Sequence, residues 1–385
     1  MRRLIGLVGL VLALLAAPTA TPAGAGDPGG AGTPPGRTPP GAEGPFGVGL
    51  TTFTADDPAR PGRTLTMDVW YPTEPGTTSG VPASLDLLVT DLPLPGVRRD
   101  ADIAPGGRHP LVAFSHGSGG VRYQSWFLMQ ALAAHGYVVV APDHAGNTSL
   151  DLLFGTADPF PVVAANRPRD ISFAIDRVLA RSGDPADHLF AAVDPARIAV
   201  AGHSFGGFTA LAVAGGYAGW GPDERVDAVI PIAAASGLLS DAELGNVDVP
   251  TLLLSGTSDE TVPLAAAAER PWALISGSPS WRVDLHRAGH SSFTNVCDLY
   301  DALVNAGLPP ALLEFLADSA SEGCAPTLMP IDRAHDLTIR YSLAFLRTAI
   351  GHDARWQHHL TPQWAARHGL PVTVFARPAG ARRVA

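Results

Sequence analysis

Two periodicities alternate along the middle of the chain. Short apolar runs at 111–114, 137–141, 198–201, 226–232, 251–254 and 281–285 are rich in Val, Ile, Leu and Ala. Runs of this kind, without a polar face, are strands covered on both sides. Between them, 125–134, 170–180, 207–214 and 337–350 repeat apolar residues every three or four positions and predict helices, with Asp170 as the N-cap of the second. Earlier, 46–54 and 64–71 read as two strands joined through Asp56-Asp57-Pro58. The Pro/Gly-rich stretch 75–108 reads as a surface excursion. Short buried strands alternating with helices predict an α/β fold, a mainly parallel central sheet with helices on both faces.

The ends differ from this pattern. Arg2 and Arg3 precede an apolar run at 4–15, and Ala23-Gly24-Ala25 offers a cleavage site. Residues 1–25 therefore read as an export signal. The run is shorter than the roughly 20 residues a bilayer span needs, so no stable membrane insertion is expected after cleavage. Residues 26–45, rich in Gly, Pro, Ala and Thr, read as a flexible linker. The catalytic domain is expected over 46–350, with a tail over 351–385. The expected localisation is secreted.

Composition changes the picture in two ways. Net charge is −10, and all 26 basic residues are arginine, without a basic run beyond the N-terminus. That excludes a nucleic-acid partner of the usual kind, which needs a basic face. The only cysteines are Cys297 and Cys324. Export favours their pairing, which would stabilise by roughly 3–4 kcal/mol.

Gly202-His203-Ser204-Phe205-Gly206 fits G-x-S-x-G. A strand runs into it and a small-residue helix runs out, the setting of a nucleophile elbow. A serine hydroxyl needs a base within hydrogen-bond reach, and in this setting the acid and the base follow the serine in chain order. The loop after 251–254 ends in Asp259, with Glu260 as its competitor. The loop after 281–285 carries His290. Both fall at strand C-terminal ends, on the edge where open α/β sheets place their sites. Of the 13 histidines, His116 and His203 sit in tight glycine loops, and His144 precedes the serine. His335, His352, His358 and His359 fall in the last helix or the tail. No H-E-x-x-H or Cys/His cluster points to a metal, and no cofactor is expected.

An acyl-transfer site also needs donors for the developing oxyanion. Phe205 N–H follows the nucleophile. The Gly-rich run 115–120 after the 111–114 strand supplies a second donor, for which Ser118 is best placed.

Three segments together resemble a known group. They are Phe114-Ser115-His116-Gly117-Ser118-Gly119-Gly120, residues 141–148 (Ala-Pro-Asp-His-Ala-Gly-Asn-Thr) and residues 201–207. The set is similar to the secreted platelet-activating-factor acetylhydrolases and to their dienelactone-hydrolase-like bacterial relatives. Bacterial polyester hydrolases are similar in architecture. The resemblance covers about residues 46–350. It implies an α/β-hydrolase fold and hydrolysis of short-acyl or lipid-like carboxylic esters, or of polyesters. The protein is expected to be a monomer. Dienelactone hydrolases use cysteine, and Ser204 departs from them toward ordinary ester chemistry. A serine peptidase, an acyltransferase and a non-catalytic binding protein of the same fold remain alternatives. Finally, 295–330 leaves the sheet at its catalytic edge, and Ala302, Leu303, Leu308, Leu312, Leu313, Phe315 and Leu316 make it apolar around Pro309-Pro310. It reads as a helical flap pinned by its two cysteines and lining an acyl cleft.

Overall fold

The computed structural model describes residues 38–380, so the export signal and most of the linker lie outside the described residues. The strands are β1 (Gly47–Asp56), β2 (Thr64–Thr73), β3 (Val81–Asp86), β4 (Asp91–Arg99), β5 (His109–Ser115), β6 (Val138–Pro142), β7 (Val193–His203), β8 (Ala228–Ile232), β9 (Thr251–Gly256), β10 (Ser280–Leu285) and β11 (Val372–Arg377). They form one sheet in the order β11-β10-β9-β8-β7-β5-β6-β2-β1-β4-β3. The block from β6 through β10 is parallel. β2 joins β6 antiparallel and β11 joins β10 antiparallel.

Alternation along each central strand divides its side chains between two cores. Val112 and Phe114 of β5, Ala199 and Ala201 of β7, and Leu252 and Leu254 of β9 face the helices Trp126–Ala134 and Ile331–Ala349. Leu111, Ala113, Ile198, Val200 and Leu253 face the helices Phe160–Gly183 and Phe205–Gly215. A period of two with apolar residues on both faces is what the runs in the sequence encode. Chain order reverses around β5, with β6 on one side and β7 on the other. That reversal opens a crevice at the carboxyl ends of β5 and β7, where the runs around Ser118 and Ser204 lie.

Three expectations change. The 75–108 stretch is not a plain excursion: it contains β3 and β4, which widen the sheet beyond β1. Pro82 of the edge strand β3, where proline is tolerated, and Pro93 and Pro95 of β4 hid them. The helix expected from Asp170 starts ten residues earlier, at Phe160, with Pro159 as its cap and Pro168 inside it. Asp170 is a fully buried mid-helix carboxylate, not a cap. Residues after 350 add a short helix, Pro362–Arg367, and β11 to the same sheet. The described end of the linker also lies on the domain. Arg347 donates to the carbonyl of Thr38, and His135 Nε2 is 3.1 Å from that of Ala42.

Candidate active site

Ser204 stands between β7 and the helix Phe205–Gly215, with φ 57° and ψ −114°. An L-residue held there costs about 1–3 kcal/mol. The turn is pinned on both sides: Ser204 N–H donates to Ile232 at 2.8 Å, and Ala235 N–H donates to Ser204 at 3.0 Å. The flanking glycines are required by space. A Cβ on Gly206 would lie 1.8 Å from the Ser115 carbonyl oxygen, and one on Gly202 would lie 2.3 Å from that of Gly206. The sharp turn projects the hydroxyl from the sheet's carboxyl edge.

The loops after β9 and β10 converge on it. His290 Nε2 is 2.8 Å from Ser204 Oγ, and His290 Nδ1 is 2.8 Å from Asp259 Oδ2. The other Asp259 oxygen accepts the Val262 N–H at 2.7 Å. With Nδ1–H donating to the carboxylate, the Nε2 lone pair faces the serine hydroxyl, as a general base requires. Asp259 is buried, whereas its neighbour Glu260 is exposed.

His203 ties the loops together. Gln124 accepts the Gly117 N–H at 2.7 Å, and its amide nitrogen is 2.9 Å from His203 Nδ1. His203 Nε2 in turn lies 2.9 Å from the His290 carbonyl oxygen. With amide N–H donating to Nδ1, the His203 proton sits on Nε2 and points at that carbonyl. The chain of bonds links the 115–120 loop to the His290 loop. Behind the 115–120 loop, His144 bridges Ser115 Oγ and Asp170 Oδ2, each at 2.9 Å. Asp170 also takes the Arg63 guanidinium. Sequence pattern does not reveal Gln124 or Asp170 as parts of this assembly. Each is a lone polar residue whose partners lie far along the chain.

Burial holds His116 and His203 neutral well below the ordinary histidine range, and burial with the Arg167 charge pushes His144 down to about 3. The unfolded chain protonates these three below pH 6.5 while the fold does not, so stability is intact above that pH and lost as pH falls. The slope is roughly 1.4 kcal/mol per pH unit for each group. Thermal melts should be level from pH 8 to 7 and then descend steeply toward pH 4.5. A melting temperature unchanged between pH 6.5 and 4.5 would contradict buried neutral imidazoles.

A cleft of about 290 Å³ opens over Ser204 and His290. The 117–121 loop forms one wall. Val296, Leu299, Leu316 and Glu322 of the helices Val296–Asn305 and Pro310–Cys324 line another. Cys297 and Cys324 form a disulfide joining those two helices. Thr261 Oγ1 donates to Glu322 at 2.7 Å, fastening the pair to the Asp259 loop. The side chains of Leu312 and Phe315, named from the sequence, lie outside the described residues.

Among solved structures, a ferulic acid esterase from Streptomyces cinnamoneus superposes with a TM-score of 0.62 and 28% identity, over 80% of this chain and 91% of that one. The chain has the α/β-hydrolase fold. Within this fold, residues 112–300 match the PET hydrolase-like family. A cutinase of Thermobifida alba is 28% identical over 180 residues, 46% of this chain and 52% of that protein. The chain thus spans about half the length of that curated relative. The matched region of the α/β-hydrolase domain includes the Ser204, Asp259 and His290 loops. No helix among the described residues is long and apolar enough to cross a membrane.

Proposed function

We propose that this α/β-hydrolase is a secreted carboxylic-ester hydrolase working through an acyl-enzyme on Ser204. The observation that carries the reading is the continuous Asp259–His290–Ser204 hydrogen-bonded chain opening on a cleft with one partly apolar wall. Ser204 Oγ attacks the ester carbonyl carbon while His290 Nε2 takes its proton. The N–H groups of Ser118 and Phe205 hold the oxyanion. The tetrahedral adduct collapses, the C–O bond breaks, and His290 returns the proton to the leaving alcohol. Water, deprotonated by His290, then attacks the acyl carbon, releasing the acid and restoring Ser204. Asp259 stays ionised and orients the imidazole throughout.

Substrates are short-acyl or lipid-like esters, in keeping with a small cleft walled by Val296, Leu299 and Leu316. A polyester is the second reading. The helix Ser149–Phe154 beside Gly119 leaves Leu150, Leu152, Leu153 and Phe154 between 41% and 67% exposed, an apolar rim that an extended chain could lie along. The PET hydrolase-like match supports it as well. Export fits the basic and apolar start of the chain and the disulfide.

A series of p-nitrophenyl esters of increasing acyl length, run beside a peptide anilide, tests this. Acetate and butyrate esters should turn over and the anilide should not. Anilide cleavage at a comparable rate would replace the esterase by a peptidase. The flap enters the same series. Replacing Cys297 and Cys324 together with serine should shift the preferred acyl length through KM more than kcat, and lower stability by about 3 kcal/mol. A lower melting temperature with unchanged relative rates would reduce the helix pair to a brace.

A further inference from the structure

We propose that Arg167 is a positioning residue of the oxyanion hole: its buried guanidinium anchors the Gly117 carbonyl and thereby aims the Ser118 N–H into the cleft. The inference rests on the ester-hydrolase reading above and deepens it. Arg167 lies on the helix Phe160–Gly183 and has no exposed surface. Its Nη2 donates to the carbonyl oxygens of His116 at 2.7 Å and Gly117 at 3.1 Å. The Gly117 oxygen also lies 2.7 Å from His116 Nδ1 and accepts the Gly120 N–H at 3.2 Å. His116 Nε2 accepts the His144 N–H at 3.1 Å, which leaves the ring proton on Nδ1 to donate to Gly117. Three donors therefore converge on one carbonyl.

That carbonyl belongs to the same peptide unit as the Ser118 N–H. In a trans peptide the two point in opposite directions. Fixing the oxygen inward turns the N–H outward, toward the cleft that Ser118 lines. A cation on the oxygen also polarises the unit and makes the N–H a stronger donor. The second donor is served by the same side chain: the Arg167 guanidinium carbon lies 4.6 Å over the Phe205 ring. Arg167 thus touches the Gly117 carbonyl, which shares its peptide unit with the Ser118 N–H, and the ring of Phe205. Among the described residues no carboxylate forms a hydrogen bond or ion pair with Arg167. Asp170, one turn on, is bound to Arg60, Arg63 and His144, and Arg167 Nε and Nη1 have no hydrogen-bond partner among the described residues. Burial lowers the guanidinium to about 9, so it remains charged at neutral pH.

Arg167→Met keeps the length of the side chain and removes the charge and the donors. Losing a whole oxyanion donor costs about 10²–10³ in kcat, and mis-aiming one should cost about ten- to a hundredfold. We expect kcat to fall by that factor with KM within about twofold, and burst kinetics to show acylation and deacylation slowed alike, since both pass through the oxyanion. Affinity for an alkyl trifluoromethyl ketone, which adds Ser204 Oγ to give a tetrahedral oxyanion, should fall in proportion to kcat/KM. Arg167→Lys, able to reach one carbonyl with a point charge, should recover part of both. Unchanged kcat, a change in KM alone, or lost turnover with undiminished ketone affinity would each overturn the proposal. Should Arg167→Met not fold, the lysine variant decides on the same proportionality. A wild type inert toward esters counts against the proposed function. An active wild type matched by an equally active Arg167→Met counts against Arg167 alone.

Discussion

Ser204→Ala should abolish ester turnover, with a loss on the order of a millionfold in kcat, while the melting temperature stays near that of the wild type. The hydroxyl makes one hydrogen bond to a side chain, His290 Nε2 at 2.8 Å, and the strained backbone of the elbow is set by its flanking contacts. Alanine keeps that backbone and removes only the attacking oxygen. Members of such a catalytic unit are strongly non-additive, so His290→Ala and the Ser204→Ala/His290→Ala pair should each lose about as much as the single serine change. Steady-state kinetics with p-nitrophenyl acetate gives the comparison. A serine variant retaining a tenth of the activity would place the nucleophile elsewhere.

Asp259→Asn should lose about ten-thousandfold, and Glu260→Gln no more than a few-fold. The two residues are neighbours with opposite surroundings. Asp259 is buried, with one oxygen on His290 and the other on the Val262 N–H, whereas Glu260 is exposed. An asparagine that keeps the Val262 bond turns its NH₂ toward His290 Nδ1. The imidazole then holds its proton on Nε2, where it cannot accept one from Ser204. The fold has no reason to fail, because the amide occupies nearly the same volume. A Glu260→Gln loss larger than that of Asp259→Asn would reverse the assignment of the orienting acid.

The central strands were legible because burial on both faces leaves short apolar runs of strand length set between turns and amphipathic helices, as at 198–201 and 251–254. The elbow was legible because its glycines answer to steric demands that few other turns share. The loops bearing Asp259 and His290 could be located for a related reason: in a parallel sheet every C-terminal strand end faces the same edge. The pair β3/β4 and the edge strand β11 were hidden by their place at the sheet margins, where strands are short, polar or proline-bearing. Asp170 misled in an instructive way. An acid at the start of an amphipathic stretch looks like a cap, but here the helix begins earlier, behind Pro159, and the carboxylate is turned inward to Arg63 and His144. Gln124 and Arg167 left no periodic signal. Their meaning lies in contacts to His203 and to the His116 and Gly117 carbonyls, and a single sequence carries no pairing information across such separations.

Everything proposed for catalysis depends on which atom becomes acylated. Intact mass and peptide mapping of the protein after incubation with a p-nitrophenyl alkylphosphonate would locate it. The geometry predicts one phosphonyl group per chain, with loss of one p-nitrophenolate, carried on the peptide containing Ser204 and absent from Ser204→Ala. An adduct on any other residue, or its persistence in the alanine variant, would contradict the account.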